Sequence, residues 1–221
     1  MHKLNINELF SLENTLVAPL FNDVNLCYEV LPKISDFIKN LGPTLDSSIY
    51  EIKGENIWIA KSAKIAPTAY ITGPCIIGEN SEVRHCAFIR GNAFVGDNCV
   101  VGNSTELKNV VLISHVQVPH YNYVGDSILG SYSHMGAGSI TSNVKSDKTL
   151  VTVKLDDKII ETGLKKFGAI LGDNVEVGCG SVLNPGTVIG KNSNIYPLSS
   201  VRGYVNANSI YKKAGEVVFK R

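Results

Sequence analysis

Aromatic side chains are scarce in this chain, at 8% of 221 residues, and proline occurs only 8 times. With 20 glycines beside them, that balance suits a solenoid, whose narrow interior holds few rings. No single sign of charge dominates. The net charge is +1 and no basic stripe runs through the sequence, which argues against a nucleic-acid partner. The distribution is uneven, however: residues 1–143 carry 9 basic and 13 acidic side chains, residues 144–221 carry 12 and 7. The C-terminal third is therefore positive, which favours an anionic ligand or is simply a solvated lysine surface. No apolar run approaches the roughly 18 residues of a membrane-spanning helix. The N-terminus also lacks the apolar core of a secretory signal. A cytoplasmic protein with no membrane partner is expected. The five cysteines are odd in number and contain no C-x-x-C pair, so they read as small apolar fillers rather than disulfides or metal ligands. Also missing are G-x-x-x-x-G-K-[ST], a helix-opening G-x-G-x-x-G and G-x-S-x-G, the usual marks of nucleotide binding and of a serine nucleophile.

What the chain does have is a period of six. Ile59, Ile65, Ile71, Ile77, Val83, Ile89, Val95, Val101, Leu107 and Ile113 are all aliphatic. Four residues after most of them sits a small side chain: Ala63, Ala69, Cys75, Ser81, Ala87, Ala93, Cys99, Thr105. Six is neither the helical period of 3.6 nor the strand period of 2. It marks a hexapeptide β-helix, with about three hexads to a coil of triangular section. The aliphatic residue fills the interior and the small one rounds the corner. The ladder resumes at Leu171, Val177, Leu183, Ile189, Ile195 and Val201.

The departures from the period divide the chain. Residues 1–52 show helical spacing instead, at Leu26, Val30, Ile34, Phe37, Ile38 and Leu41. Pro32 suits a first turn, Gly42-Pro43 a stop, and a shorter helix fits Leu9 to Phe21. This segment is expected to be a helical cap for the open end of the prism, which needs covering. Residues 53–205 form the β-helix. Between about 144 and 168 the repeat vanishes; Val151–Leu155 and Lys158–Thr162, split by Asp156-Asp157, predict a hairpin protruding from the prism. Residues 206–221 form a basic terminal strand or arm. Because insertions in repeat proteins line the binding face, residues 115–168 are the place to look for function.

His120 stands out there, in the slipped stretch Val118-Pro119-His120-Tyr121-Asn122-Tyr123-Val124-Gly125, where Val124 to Leu129 is five residues and not six. An imidazole at its ordinary pKa can take a proton from an attacking amine; a plain corner histidine is the alternative. A zinc site needs three convergent nitrogens. His85 and His115 lie 30 residues apart and fall on different edges of the prism, so no metal is expected.

The stretch from Pro119 to Ile128, with Met135-Gly136-Ala137-Gly138-Ser139-Ile140-Thr141-Ser142-Asn143, resembles the active-site region of glucosamine-1-phosphate N-acetyltransferases. The likeness is closest to archaeal-type sugar-1-phosphate nucleotidylyltransferase/acetyltransferase proteins. It continues through Lys165–Asn174 and Asn184–Gly190 and covers about residues 57–205. It implies an all-β fold, a left-handed parallel β-helix, and a homotrimer with sites between subunits. It also implies acetyl-CoA as co-substrate, with no metal needed for the transfer. By this resemblance His120 is the general base. Arg90 and Lys108 meet the phosphate, Tyr123 contacts the sugar phosphate, and Lys166 lies near the same site. His134 stands where the bacterial enzymes have a substrate-binding asparagine. Asn143 contacts acetyl-CoA; Cys179 and Pro197 stand where those enzymes have small residues near CoA; Lys212 or Lys213 replaces an arginine at the CoA phosphates. No segment here matches a nucleotidylyltransferase domain, so that activity is not expected. The implied function is acetyl transfer to an amino-sugar phosphate. Another amino sugar or nucleotide sugar as acceptor, a non-catalytic trimeric sugar-phosphate scaffold, and a zinc lyase of the hexapeptide class are the alternatives.

Overall fold

A computed structural model describes residues 2–213 and 216–219, the side chains of Lys213 and Glu216 excepted. Residues 57–143 and 169–213 wind into a left-handed parallel β-helix. Each coil contributes one short strand to each of three faces. The first face stacks Ile57–Ala60, Cys75–Ile77 and Ala93–Asp97, then the later halves of Glu106–Ser114 and Tyr123–Leu129, then Ala169–Leu171, Thr187–Ile189 and Tyr204–Val205. The second face runs from Lys64–Ile65 to Ser209–Lys213, and the third from Tyr70–Ile71 to Ser200–Val201. The strands Glu106–Ser114 and Tyr123–Leu129 turn the corner from the third face to the first without a break.

The interior column is the aliphatic ladder, with Ile77, Val83, Ile89, Val95, Val101 and Leu107 fully buried. One position departs from expectation. Leu112, not Ile113, pairs with Val95 and Leu129 on the interior side. The one-residue slip therefore first occurs at the Lys108–Asn109 corner, a coil before the one between Val124 and Leu129. Ile113 packs instead into the cluster on the outside of the first face.

That outer cluster decides where the N-terminal segment goes. On the first face the residue before each interior one is also apolar: Trp58, Ile76, Phe94, Val111, Ile128, Ile170 and Val188, all buried. A strand apolar on both sides must be covered on both. The N-terminal segment does this by running along the flank of the prism, not across its end, which corrects the end-cap expectation. Ser11 N–H donates to Asp173 Oδ2 at 2.7 Å, the Leu31 carbonyl accepts from Asn109 at 3.2 Å, and Phe37 meets Phe94 with ring centroids 6.3 Å apart. Its regular parts are short: an α-helix Ile6–Leu9, 3-10 turns at Ala18–Phe21 and Cys27–Lys33, and the α-helix Ile34–Leu41, which gives way to a 3-10 turn at Gly42–Thr44. Strand Tyr50–Gly54 then pairs antiparallel with Ile57–Ala60.

Residues 144–168 contain the expected hairpin, Thr152–Leu155 against Lys158–Glu161. It does not stand clear of the prism. Val153, Leu155 and Ile160 are buried in the same flank cluster while Lys154 and Ile159 face out; the alternation lets one side of the hairpin close over the late coils. Past residue 205 the β-helix continues, since Ser209–Lys213 pairs with Asn194–Ile195 on the second face, and Glu216–Phe219 folds back antiparallel on it. Among the described residues, no helix is long and apolar enough to cross a membrane.

Candidate active site

The corner from the third face to the first carries one group of expected residues. Arg90 and Lys108 leave the third face one coil apart, because Leu107 pairs with Ile89. Tyr123 pairs with Glu106 on one side and Ile140 on the other, so its ring faces outward beside them. Asn143 lies where the chain leaves the prism for the insertion; its carbonyl accepts from Phe167 N–H at 3.0 Å, where the chain returns. Gly168 comes next because a Cβ there would strike the Gly125 carbonyl oxygen.

Two carboxylates hold this group together. Glu106 Oε1 accepts from Arg90 Nη1 at 2.6 Å in an exposed pair. Asp126, with a side chain only 7% exposed, accepts from Lys108 Nζ at 3.1 Å, from Asn109 Nδ2 at 3.0 Å and from the Asn143 amide nitrogen. Asp126 accepts only, so it fixes which way the Asn143 amide points. The same amide nitrogen donates to the Tyr123 phenol oxygen at 3.3 Å, which leaves the phenol proton free to donate to a ligand. Burial, then the negative charges of Asp126 and Glu106, push the Tyr123 phenol above its ordinary pKa. The hydrogen bond to Glu106 raises the Arg90 guanidinium further. Both therefore remain protonated donors at neutral pH.

The opposite corner, between the second and third faces, carries the second group. Successive coils place Asn103, His120, Ala137, Cys179 and Pro197 in one column. Each coil hydrogen-bonds to the next: Tyr121 N–H to the Asn103 carbonyl, Gly138 to His120, Gly180 to Ala137 and Leu198 to Cys179, at 2.9 to 3.0 Å. At about 4.8 Å per coil, His120 lies roughly 10 Å from Cys179 and roughly 14 Å from Pro197. All three are exposed, as is Lys212 in the final second-face strand; the side chain of Lys213 lies outside the described residues. Asn122, buried, braces this corner. Its amide carbonyl accepts from His120 N–H at 3.1 Å, and its nitrogen donates to the Gly136 and Ser139 carbonyls at 2.9 and 3.0 Å.

The structure thus joins Tyr123 to Asn143 directly and Lys108 to Asn143 through Asp126, puts Arg90 beside them, and lines up His120 with Cys179 and Pro197. Tyr123, on the strand that leads away from His120, stands between the two groups. The structure does not bring in His134, whose Nδ1 lies 2.8 Å from Glu176 Oε2 out on the second face; Lys166 is exposed one residue before Phe167, whose N–H bonds the Asn143 carbonyl. Glu106, Asn109, Asn122 and Asp126 were missed by sequence reasoning. Among the described residues, no three His, Cys, Asp or Glu side chains are placed to hold a metal. A cleft of about 560 Å³, between Leu12, Leu16, Leu41, Leu45, Ile49 and Tyr50, adjoins neither group.

Residues 71–193 match the family model described as GMPPB C-terminal domain. The chain belongs to that family. Among curated relatives, "Bifunctional protein GlmU" of Methanococcus vannielii is 34% identical over 114 residues, 52% of this chain and 27% of the relative. The "Bifunctional sugar-1-phosphate nucleotidylyltransferase/acetyltransferase" of Sulfurisphaera tokodaii is 34% identical over 105 residues, 48% of this chain and 26% of the relative. The matched stretch is thus about a quarter of the length of these relatives. Of the solved structures, a hexapeptide transferase family protein from Anaplasma phagocytophilum is 16% identical, with 74% of this chain and 78% of that one covered, at a TM-score of 0.41.

Proposed function

We propose that this protein is an acetyl-CoA-dependent N-acetyltransferase acting on an amino-sugar phosphate, with glucosamine 1-phosphate the acceptor to test first. The observation that carries the reading is the hydrogen-bonded group Lys108–Asp126–Asn143–Tyr123 with Arg90 beside it, across the third face from the His120 corner. The names of the relatives, a "Bifunctional sugar-1-phosphate nucleotidylyltransferase/acetyltransferase" among them, support an acetyl-transfer reading.

In this reading Arg90 takes the phosphate of the acceptor by charge-assisted hydrogen bonds. Its pair with Glu106 is exposed, and such pairs are worth about 0–1 kcal/mol, so a phosphate can displace the carboxylate. Lys108, held by Asp126, adds a second positive charge. The free phenol proton of Tyr123 donates to the sugar. Acetyl-CoA lies along the His120–Cys179–Pro197 edge, with Lys212 and Lys213 toward its phosphates and Asn143 near its acyl end. The acceptor nitrogen attacks the thioester carbonyl and His120 takes the proton it sheds. The C–S bond then breaks, and the CoA thiolate leaves and is protonated. Holding both substrates together supplies much of the rate. Lys166, one residue before Phe167, stands beside Asn143 on the same chain, and His134, out on the second face, would join the site across subunits of a homotrimer.

The test is release of CoA thiol from acetyl-CoA with a panel of amino-sugar phosphates and nucleotide amino sugars. Turnover with one of them is expected, and its loss in His120→Ala. Absence of turnover with every acceptor would sink the enzyme reading in favour of a sugar-phosphate-binding scaffold.

A further inference from the structure

One buried acid in this region meets neither substrate in the chemistry above, although three side chains converge on it. Asn92, Asn109 and Asp126 occupy the same corner in three successive coils, each in the left-handed backbone region, with φ of 50°, 54° and 49°. Asn and Asp tolerate that conformation better than other side chains, so the backbone accounts for either residue at any of the three positions. It does not account for a charge at the third. The donors do. Lys108 Nζ lies 3.1 Å from Oδ2 and 3.4 Å from Oδ1, Asn109 Nδ2 lies 3.0 Å from Oδ1, and the Asn143 amide nitrogen meets Oδ2. Three N–H donors on two oxygens need an acceptor on both sides. An asparagine in this place would turn an NH2 group against one of them.

We propose that Asp126 is the positioning residue of the site, a carboxylate that touches neither substrate and fixes at once the ammonium of Lys108 and the amide of Asn143, and through Asn143 the phenol of Tyr123. The inference rests on the acyl-transfer reading above. It adds that acceptor and acyl-donor contacts are not independent, because Lys108 and Asn143, assigned to different substrates, share one anchor. It also gives the N-terminal flank a part in the site: Asn109 Nδ2 donates both to Asp126 and, at 3.2 Å, to the Leu31 carbonyl.

The experiment uses Asp126→Asn in the full chain, with acceptor and acetyl-CoA varied separately. A hydrogen bond to a charged group is worth enough that kcat/KM is expected to fall roughly tenfold or more, and to fall for both substrates, whereas Arg90→Ala moves the acceptor alone. A ligand-free arm follows the alkaline titration of the Tyr123 phenol, isolated by subtracting Tyr123→Phe variants. Removing the Asp126 charge is expected to bring it down toward the ordinary tyrosine value. A folded Asp126→Asn protein whose Tyr123 titration and kinetics both coincide with the wild type overturns the proposal. Should that variant fail to fold, Asp126→Glu keeps the charge and moves it by one methylene; unchanged kcat/KM there overturns the proposal equally. If the wild type transfers no acyl group, the functional reading fails, and the phenol titration still decides the role of Asp126.

Discussion

Phe94→Ala should loosen the N-terminal flank from the prism while leaving the coils wound. Phe94 is among the largest fully buried side chains and lies on the outer side of the first face, 6.3 Å from the ring of Phe37. Truncating a buried phenylalanine costs about 3–5 kcal/mol, a large part of the 5–15 kcal/mol that stabilises a typical domain. The loss falls unevenly. Each coil contacts mainly its neighbours, and the interior ladder is untouched. By contrast, Ile34–Leu41 spans eight residues, too few for a helix to persist in water without packing. The single tryptophan, Trp58, reports on the flank directly: it is buried there, and Gly42 lies so close that a Cβ would strike the ring. In urea, the Trp58 emission of Phe94→Ala is expected to shift red well before the far-UV circular dichroism of the strands is lost. Limited proteolysis should cut within residues 1–50 first. A variant within about 1 kcal/mol of the wild type, with the two probes still coincident, would refute the reasoning, because a side chain that anchors the flank cannot be lost so cheaply.

Other outcomes follow from the same geometry. His120→Ala should slow acyl transfer roughly a hundredfold or more, as for loss of a general base, and leave the urea midpoint unchanged, since the side chain is exposed; a shifted midpoint would mean the residue is structural. Burial and the charges of Asp97 and Glu79 push the Tyr50 phenol up to about 12. An acid whose pKa is raised in the fold lends stability that is complete below its unfolded value near 10 and is lost as pH climbs toward 12. Unfolding free energy should therefore decline over that window, and Tyr50→Phe should flatten the decline. Of the five cysteines, Cys27, Cys75 and Cys99 are buried and Cys86 and Cys179 exposed, with burial holding the Cys75 and Cys99 thiols up at about 12. A thiol reagent should therefore label two sites in the native protein and five in denaturant, and bound CoA should slow labelling of Cys179.

Most of the fold was legible because a narrow triangular interior tolerates little variation: one aliphatic residue per strand, one small residue per corner. Pairs such as Ile76-Ile77, Phe94-Val95, Ile128-Leu129 and Ile170-Leu171 also announced that one face is buried on both sides. They fall on the same face in coil after coil, and that pattern, once noticed, sends the N-terminal segment to the flank. The slip at Lys108–Asn109 was hidden because Ile113 happens to continue the count of six although Leu112 takes the interior place. The site was legible only in part. Arg90, Lys108, Tyr123 and Asn143 carry side chains suited to a ligand, and the resemblance named them. Asp126 looks in sequence like any solvated turn acid; its burial comes from three donors brought from other coils, which no local pattern announces. The hairpin at 152–161 was visible as two short strands, but its docking depends on the apolar outer column it covers.

The central claim is that the third face and its two corners form an acyl-transfer site. Incubation of the protein with acetyl-CoA labelled in the acetyl group and with glucosamine 1-phosphate, followed by mass spectrometry of the sugar phosphate, tests it directly. The account predicts an amide carrying the label on the amino nitrogen, formed catalytically by the wild type and not by His120→Ala. Label that stays on CoA with this and every related amino-sugar acceptor, or an equal yield from His120→Ala, would contradict it.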